Sequence, residues 1–208
     1  MKIGMKNLVK ISFVLAAFVV CLNVSAQEEQ ISFGVKGGVN LSNFGGDVED
    51  LDSKIGFNVG LTLDYKIMEN LYLLTGLELT SKGAKESIEG DKATINAMYL
   101  QLPVHAAYKF DLSDGMKIVV NAGPYLAYGI GGKVKEKYDG DSESYDFFGD
   151  VKEGYAKRFD FGIGVGLGLE FGSAKLGIGY DLGMANLYDS DDYKVKTNNL
   201  FVTIGYKF

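Results

Sequence analysis

The chain has 208 residues, among them 28 Gly, 2 Pro, 13 Tyr, 13 Phe and no Trp, and its formal net charge is −6. With 47% hydrophobic and 23% charged residues it suits one or two folded domains and excludes a disordered chain. The acidic balance speaks against nucleic acid as a partner, which needs a basic footprint, and glycine at about twice its usual share, without a Gly-x-y period, excludes collagen.

At the N-terminus Lys2, Lys6 and Lys10 surround and precede the start of a 12-residue apolar run, 11–22, too short to span a bilayer as a helix. Small residues follow at Val24-Ser25-Ala26. This is the layout of a secretory leader, with cleavage expected after Ala26 and residues 27–208 forming the exported domain. Cys21 lies inside the leader, behind Val20 where a lipoprotein signal needs a smaller residue. The exported chain then has no cysteine, hence no disulfide and no thiol chemistry, and 18 basic residues against 27 acidic ones, a net charge of −9.

From residue 30 onward the dominant pattern is period-two alternation, which an α-helix cannot satisfy. Eight strands are expected, at 30–42, 55–67, 71–83, 96–110, 117–130, 157–171, 174–187 and 198–208. In the second, Ile55, Phe57, Val59, Leu61, Leu63, Tyr65 and Ile67 alternate with Gly56, Asn58, Gly60, Thr62, Asp64 and Lys66; in the sixth, seven apolar residues from Phe159 to Phe171 alternate with glycine and charge. Each strand exceeds the usual five or six residues and matches the ten or so that a tilted strand needs to cross a bilayer. The connections 68–70, 111–116 and 172–173 are short, whereas 43–54, 84–95, 131–156 and 188–197 are long and polar. The pattern predicts an all-β, up-and-down antiparallel transmembrane β-barrel of eight strands, and ten stay open if 131–156 holds a further hairpin.

Residue size decides which face is outward. Eight strands leave an interior only just wide enough for side chains, and Gly162, Gly164, Gly166, Gly168, Gly177 and Gly179 on the polar face make room there for Tyr72, Tyr99, Tyr125 and Phe201. The apolar face therefore meets lipid. Aromatic residues at the strand ends on that face, Tyr65, Tyr108, Phe110, Phe171, Tyr206 and Phe208 at the short-turn end and Phe57, Tyr128, Phe159 and Phe161 at the other, read as interfacial girdles. The inward parity collects Lys36, Asp64, Lys66, Glu78, Lys82, Lys109, Arg158, Asp160, Glu170, Lys175, Asp181 and Lys207. Buried charges are costly unless paired, so a salt-bridged network plugging the lumen is expected, with a charged pore lining as the alternative.

Ile31-Ser32-Phe33-Gly34-Val35-Lys36-Gly37-Gly38-Val39-Asn40-Leu41-Ser42 resembles the opening strand of the small outer-membrane barrels of the porin-family or PorT-like group, barrels of the OmpA/OmpX type. Tyr99-Leu100-Gln101-Leu102-Pro103-Val104 and Asn121-Ala122-Gly123-Pro124-Tyr125 are similar to two later strands of that group. The terminal Phe208 resembles the C-terminal signal read by the outer-membrane assembly machinery. The resemblance implies a Gram-negative outer-membrane location, with outer-membrane lipid and that machinery as partners.

No cofactor, catalytic group or metal site is assigned. His105 is the only histidine, so a transition-metal site would have to draw on carboxylates. It shares inward parity with Tyr99, Gln101 and Lys109 and reads as an interior hydrogen-bonded residue; a lipid hydrolase using His105 with a serine, as in outer-membrane lipid-A deacylases, is a runner-up. The long loops carry nearly all the net negative charge. Asp139-Gly140-Asp141-Ser142-Glu143 and Asp189-Ser190-Asp191-Asp192 cluster oxygen ligands without an established calcium-loop spacing, and Tyr138, Tyr145, Phe147, Phe148 and Tyr155 suit recognition. The expectation is a monomeric barrel, not an enzyme, with a structural or surface-interaction role through acidic loops, or alternatively a narrow passive pore for small solutes.

Overall fold

The computed structural model describes residues 30–48, 51–88, 91–113, 115–138, 141–149, 155–188 and 193–208. The leader expected over 1–26 lies outside them, as do Asp139, Gly140 and the cluster 189–192. The strands are β1 (Ile31–Gly46), β2 (Asp52–Lys66), β3 (Leu71–Ile88), β4 (Asp91–Asp111), β5 (Met116–Tyr138), β6 (Asp141–Asp146), β7 (Phe159–Phe171), β8 (Ala174–Gly183) and β9 (Val195–Lys207). All pairings between them are antiparallel. Eight strands close a ring in the order β1-β2-β3-β4-β5-β7-β8-β9, sealed where β9 returns to β1 with Val202 opposite Val39. Closure leaves no open ring edge, a requirement for backbone inside hydrocarbon.

The ninth strand, β6, pairs only with the far half of β5 and stands beyond the ring. The 131–156 connection thus holds a hairpin that lengthens the wall without adding to the eight. The 84–95 connection, expected as a loop, is likewise a hairpin: β3 and β4 stay paired from Ala84 opposite Ile95 out to Ile88 opposite Asp91. Polar composition hid both, because strands that rise beyond the apolar band have no apolar face to display. β8 is shorter than expected: it ends at Gly183, and in the segment that follows Ala185 and Leu187 are buried while Met184 is exposed.

At the opposite end the ring strands are joined by tight turns. Gly115 and Gly172 have φ of +77° and +57°, the left-handed backbone that such reversals need and that a side chain disfavours.

Phe159, Phe161, Ile163, Val165, Leu167, Leu169 and Phe171 all point out of the ring and are exposed, while Asp160 and Glu170 between them are buried. A water-soluble chain does not leave so large a contiguous apolar surface bare. The glycines of the β7–β8 wall face inward, and each receives a side chain from elsewhere. The Cβ that Gly179 lacks would stand 2.4 Å from Phe201 Cζ, and that of Gly162 2.8 Å from Tyr125 Oη. Tyr99 and Tyr125 are fully buried inside the ring.

Candidate functional site

Nearest the short turns, the lumen is crossed by a four-membered ion cluster. Lys109 Nζ lies 2.7 Å from Asp64 Oδ2 and 2.8 Å from Glu170 Oε1, and Lys175 Nζ lies 2.7 Å and 3.5 Å from the same two atoms. These groups come from β4, β2, β7 and β8, so the cluster ties four strands across the interior. The Lys109 ammonium also sits 4.3 Å from the centre of the Tyr72 ring, a favourable cation–π contact. Lys66 and Lys207, half-buried at this end, join no ion pair among the described residues.

Farther in, Lys36 Nζ meets Glu78 Oε1 at 2.6 Å. Asn40, buried between β2 and β3, donates from Nδ2 to Thr80 Oγ1 at 2.8 Å and accepts from Asn58 through Oδ1. His105 is buried, with Nδ1 2.8 Å from Asn121 Oδ1, and Gln101 Nε2 donates to Asp181 Oδ2 at 3.0 Å. A cavity of about 150 Å³ lies among Lys36, Glu78, Gln101, His105, Asn121 and Asp181. Among the described residues no serine hydroxyl bonds the His105 ring, which faces this cavity and not the lipid surface.

Toward the long loops, Lys82 Nζ lies 3.4 Å from Asp160 Oδ2, which also accepts from Thr197 Oγ1 at 2.8 Å and from Tyr125 Oη at 3.4 Å. The Tyr125 and Tyr99 rings lie 4.5 Å and 5.4 Å from the same ammonium. Arg158, expected among the lumen charges, instead donates to the Gly129 carbonyl at 2.9 Å and lies over the Phe148 ring. Its position just before β7 carries it above Asp160, to the level of the mouth.

An apolar cap covers this end. Phe44, Tyr99, Tyr125, Phe147, Phe148, Leu187 and Val195 are buried against one another with several alanines. Phe147 stacks on Phe44 with ring centroids 6.0 Å apart, and Phe148 meets Tyr99 edge-on at 5.4 Å. The two phenylalanines, grouped from the sequence with exposed recognition residues, are therefore packed inward. The clue lies in their adjacency just after an alternating polar stretch: once the β6 hairpin returns to the mouth, the first large apolar residues fold into it. Beside the cap a hollow is lined by Phe44, Val48, Leu51, Ile95, Tyr188 and Tyr193 with Asp47 and Glu86. Burial, with Tyr193 alongside, pushes the Tyr188 phenol above its ordinary range.

In the β5–β6 hairpin β6 is exposed along its length, and part of the hairpin's acidity is met at home. Lys133 pairs with Asp146 at 3.7 Å, and Tyr145 Oη donates to Glu136. Around the ring, the girdle residues Tyr108, Phe110, Tyr128, Phe159, Phe171, Tyr206 and Phe208 are exposed on the outer face, and Tyr65 is half-buried there. Tyr108–Phe110, Phe159–Phe161 and Tyr206–Phe208 form ring pairs along their strands.

A closed ring with an apolar exterior and a charged interior defines a small transmembrane barrel. Residues 25–189 match the family model described as outer membrane protein beta-barrel domain. The chain belongs to that family, and it is an outer-membrane β-barrel protein. Similar solved structures include Neisserial surface protein A, at 16% identity with a TM-score of 0.48, covering 86% of this chain and 100% of that one. Others are Ail, the attachment invasion locus protein of Yersinia pestis, in complex with the heparin analogue sucrose octasulfate (20%, 0.44, 86% and 99%), and OprG from Pseudomonas aeruginosa (13%, 0.43, 85% and 95%). Among curated proteins none matches the chain.

Proposed function

We propose that this barrel is a sealed outer-membrane protein whose work is done outside the membrane, by the β3–β4 and β5–β6 hairpins and the acidic connections around them. The observation that carries this reading is the filling of the lumen: three levels of ion pairs lie one above another between the short turns and the phenylalanine cap. An eight-stranded barrel has little free cross-section, and the levels nearest the short turns and beneath the cap lie on either side of the cavity beside His105. In this reading the leader is removed after Ala26, Phe208 is presented to the assembly machinery, and the barrel sits in lipid as a monomer with its long hairpins facing outward. It plays a structural or surface-interaction role and is not an enzyme.

The cavity beside His105 favours a second reading, a narrow passive pore. Planar-bilayer recording separates the two. The sealed barrel gives no stable conductance steps after insertion; discrete, reproducible steps that scale with salt overturn the plug and leave the pore.

A further inference from the structure

Every buried carboxylate inside the ring but one meets a lysine. Asp64 and Glu170 touch Lys109 and Lys175, Glu78 touches Lys36, and Asp160 touches Lys82. The remaining buried carboxylate, Asp181 on β8, is 3% exposed and has no cationic side chain within 4.0 Å among the described residues. Its Oδ2 is held by Gln101 Nε2, and its Oδ1 faces the inner surface of Gly164.

Two atoms opposite Asp181 lack a hydrogen-bond partner. Asn121 Oδ1 can only accept, so His105 Nδ1 is the donor in that 2.8 Å bond and Nε2 is the ring nitrogen left to meet a ligand. His105 Nε2 is buried without a partner, and so is Gln101 Oε1. Gly164 leaves a gap open between the first of these and the carboxylate: the Cβ it lacks would stand 2.7 Å from Asp181 Oδ1 and 2.8 Å from His105 Nε2. An imidazole nitrogen, a carboxylate oxygen and an amide oxygen thus line one side of the cavity with no donor supplied between them. Buried acceptors left this way are costly.

We propose that this gap is a metal site, taking one divalent transition-metal cation of the zinc class through His105 Nε2, Asp181 Oδ1 and Gln101 Oε1, with cavity water completing the shell. Mixed imidazole and oxygen donors suit zinc and its neighbours better than calcium or magnesium. The Asn121 bond is the support that a ligating histidine ordinarily receives, its second nitrogen donating to an oxygen that fixes the ring. His, Asp and Glu alone do not gather three donors at any point among the described residues; the Gln101 amide supplies the third. The cavity continues to Lys36 and Lys175, both partly open to solvent, which gives an ion a way in. A bound cation offsets the unmatched charge of Asp181 and ties β4 to β8 across the lumen.

The test uses the full exported chain refolded in detergent from metal-free buffer, with Co²⁺ followed by its visible absorption and Zn²⁺ by calorimetry. The wild type takes up one Co²⁺ per chain, displaced by Zn²⁺. His105→Gln and Asp181→Asn each weaken binding at least tenfold, as does Gly164→Ala, whose methyl enters the gap, while Lys66→Ala at the short-turn end leaves it unchanged. Heat-dependent gel mobility reports which variants are folded, and any one of the three folded suffices. A folded wild type that binds no Co²⁺ overturns the proposal and leaves water in the gap. Binding that survives substitution of both His105 and Asp181 overturns it as well, by moving the metal to the acidic loops.

Discussion

Lys82 and Asp160 form a buried ion pair, Nζ to Oδ2 3.4 Å, with side chains 1% and 0% exposed. They lie on β3 and β7, three strands apart around the ring, so the contact spans the interior. Two tyrosine rings and the Thr197 hydroxyl complete the surroundings. Removing one member of such a pair leaves an uncompensated charge at a cost of about 3–5 kcal/mol. Lys82→Met is expected to lose about that much in denaturant unfolding from lipid vesicles, and adding Asp160→Asn is expected to recover part of it. A loss below about 1 kcal/mol for the single variant would show that the pair is dispensable.

The cap makes a different prediction. The chain from Gln27 onward has no cysteine, so one introduced thiol reports local access. Ala127 is buried within the cap cluster, and Ala127→Cys is expected to react slowly with a charged, water-soluble maleimide. Adding Phe147→Ala and Phe148→Ala is expected to raise the rate at least tenfold. Equal rates in the two backgrounds would mean that the phenylalanines do not close the mouth.

On the outer face, the cost of a charge depends on depth. Leu167 is at the middle of β7 and Phe171 at its short-turn end, both exposed. Arginine on the lipid face costs about 2–4 kcal/mol at the bilayer midplane and about 0–1 near the interface. Leu167→Arg is therefore expected to destabilise the inserted barrel by the larger amount and Phe171→Arg by the smaller. The same two variants in a detergent micelle should differ much less. Equal penalties in lipid would contradict this placement of the membrane.

Inside the wall, Gly179 and Phe201 fit by size. A methyl at Gly179 meets the Phe201 ring at 2.4 Å and the Val165 carbonyl at 2.8 Å. Overpacking of this kind costs about 1–3 kcal/mol. Gly179→Ala is expected to fall in that range alone and to cost less in a Phe201→Val background, where only the backbone contact is left. Strictly additive effects in this double-mutant cycle would place the Phe201 ring elsewhere.

The alternating residues of β2 and β7 made their two faces readable in advance, and Gly162 to Gly168 identified the inner one. The ends of strands were less legible. β3 runs on to Ile88 and β5 to Tyr138 through polar sequence that has no apolar face once the strand leaves the lipid. A register shift between Met98 and Tyr99 of β4 against β5 also exchanges the faces there, so that Val134 points inward where the simple alternation turns it out. Of the twelve inward charges named from parity, eight meet as ion pairs, whereas Lys66, Arg158, Asp181 and Lys207 do not among the described residues.

The sequence by itself determined the up-and-down antiparallel pattern, the side that meets lipid and the end that carries the short turns, while the choice of eight ring strands over ten waited on the placement of β6. Those follow from the pleat, which sends successive side chains to opposite faces whatever the rest of the chain does. Only the tertiary structure decided that Lys82 meets Asp160 across 78 residues and Lys175 meets Asp64 across 111. Closure alone likewise turned Phe147 and Phe148 into the mouth and left Asp181 without a lysine. Which groups share a level inside a barrel depends on the stagger of every strand around the ring, a property of closure that no single strand encodes.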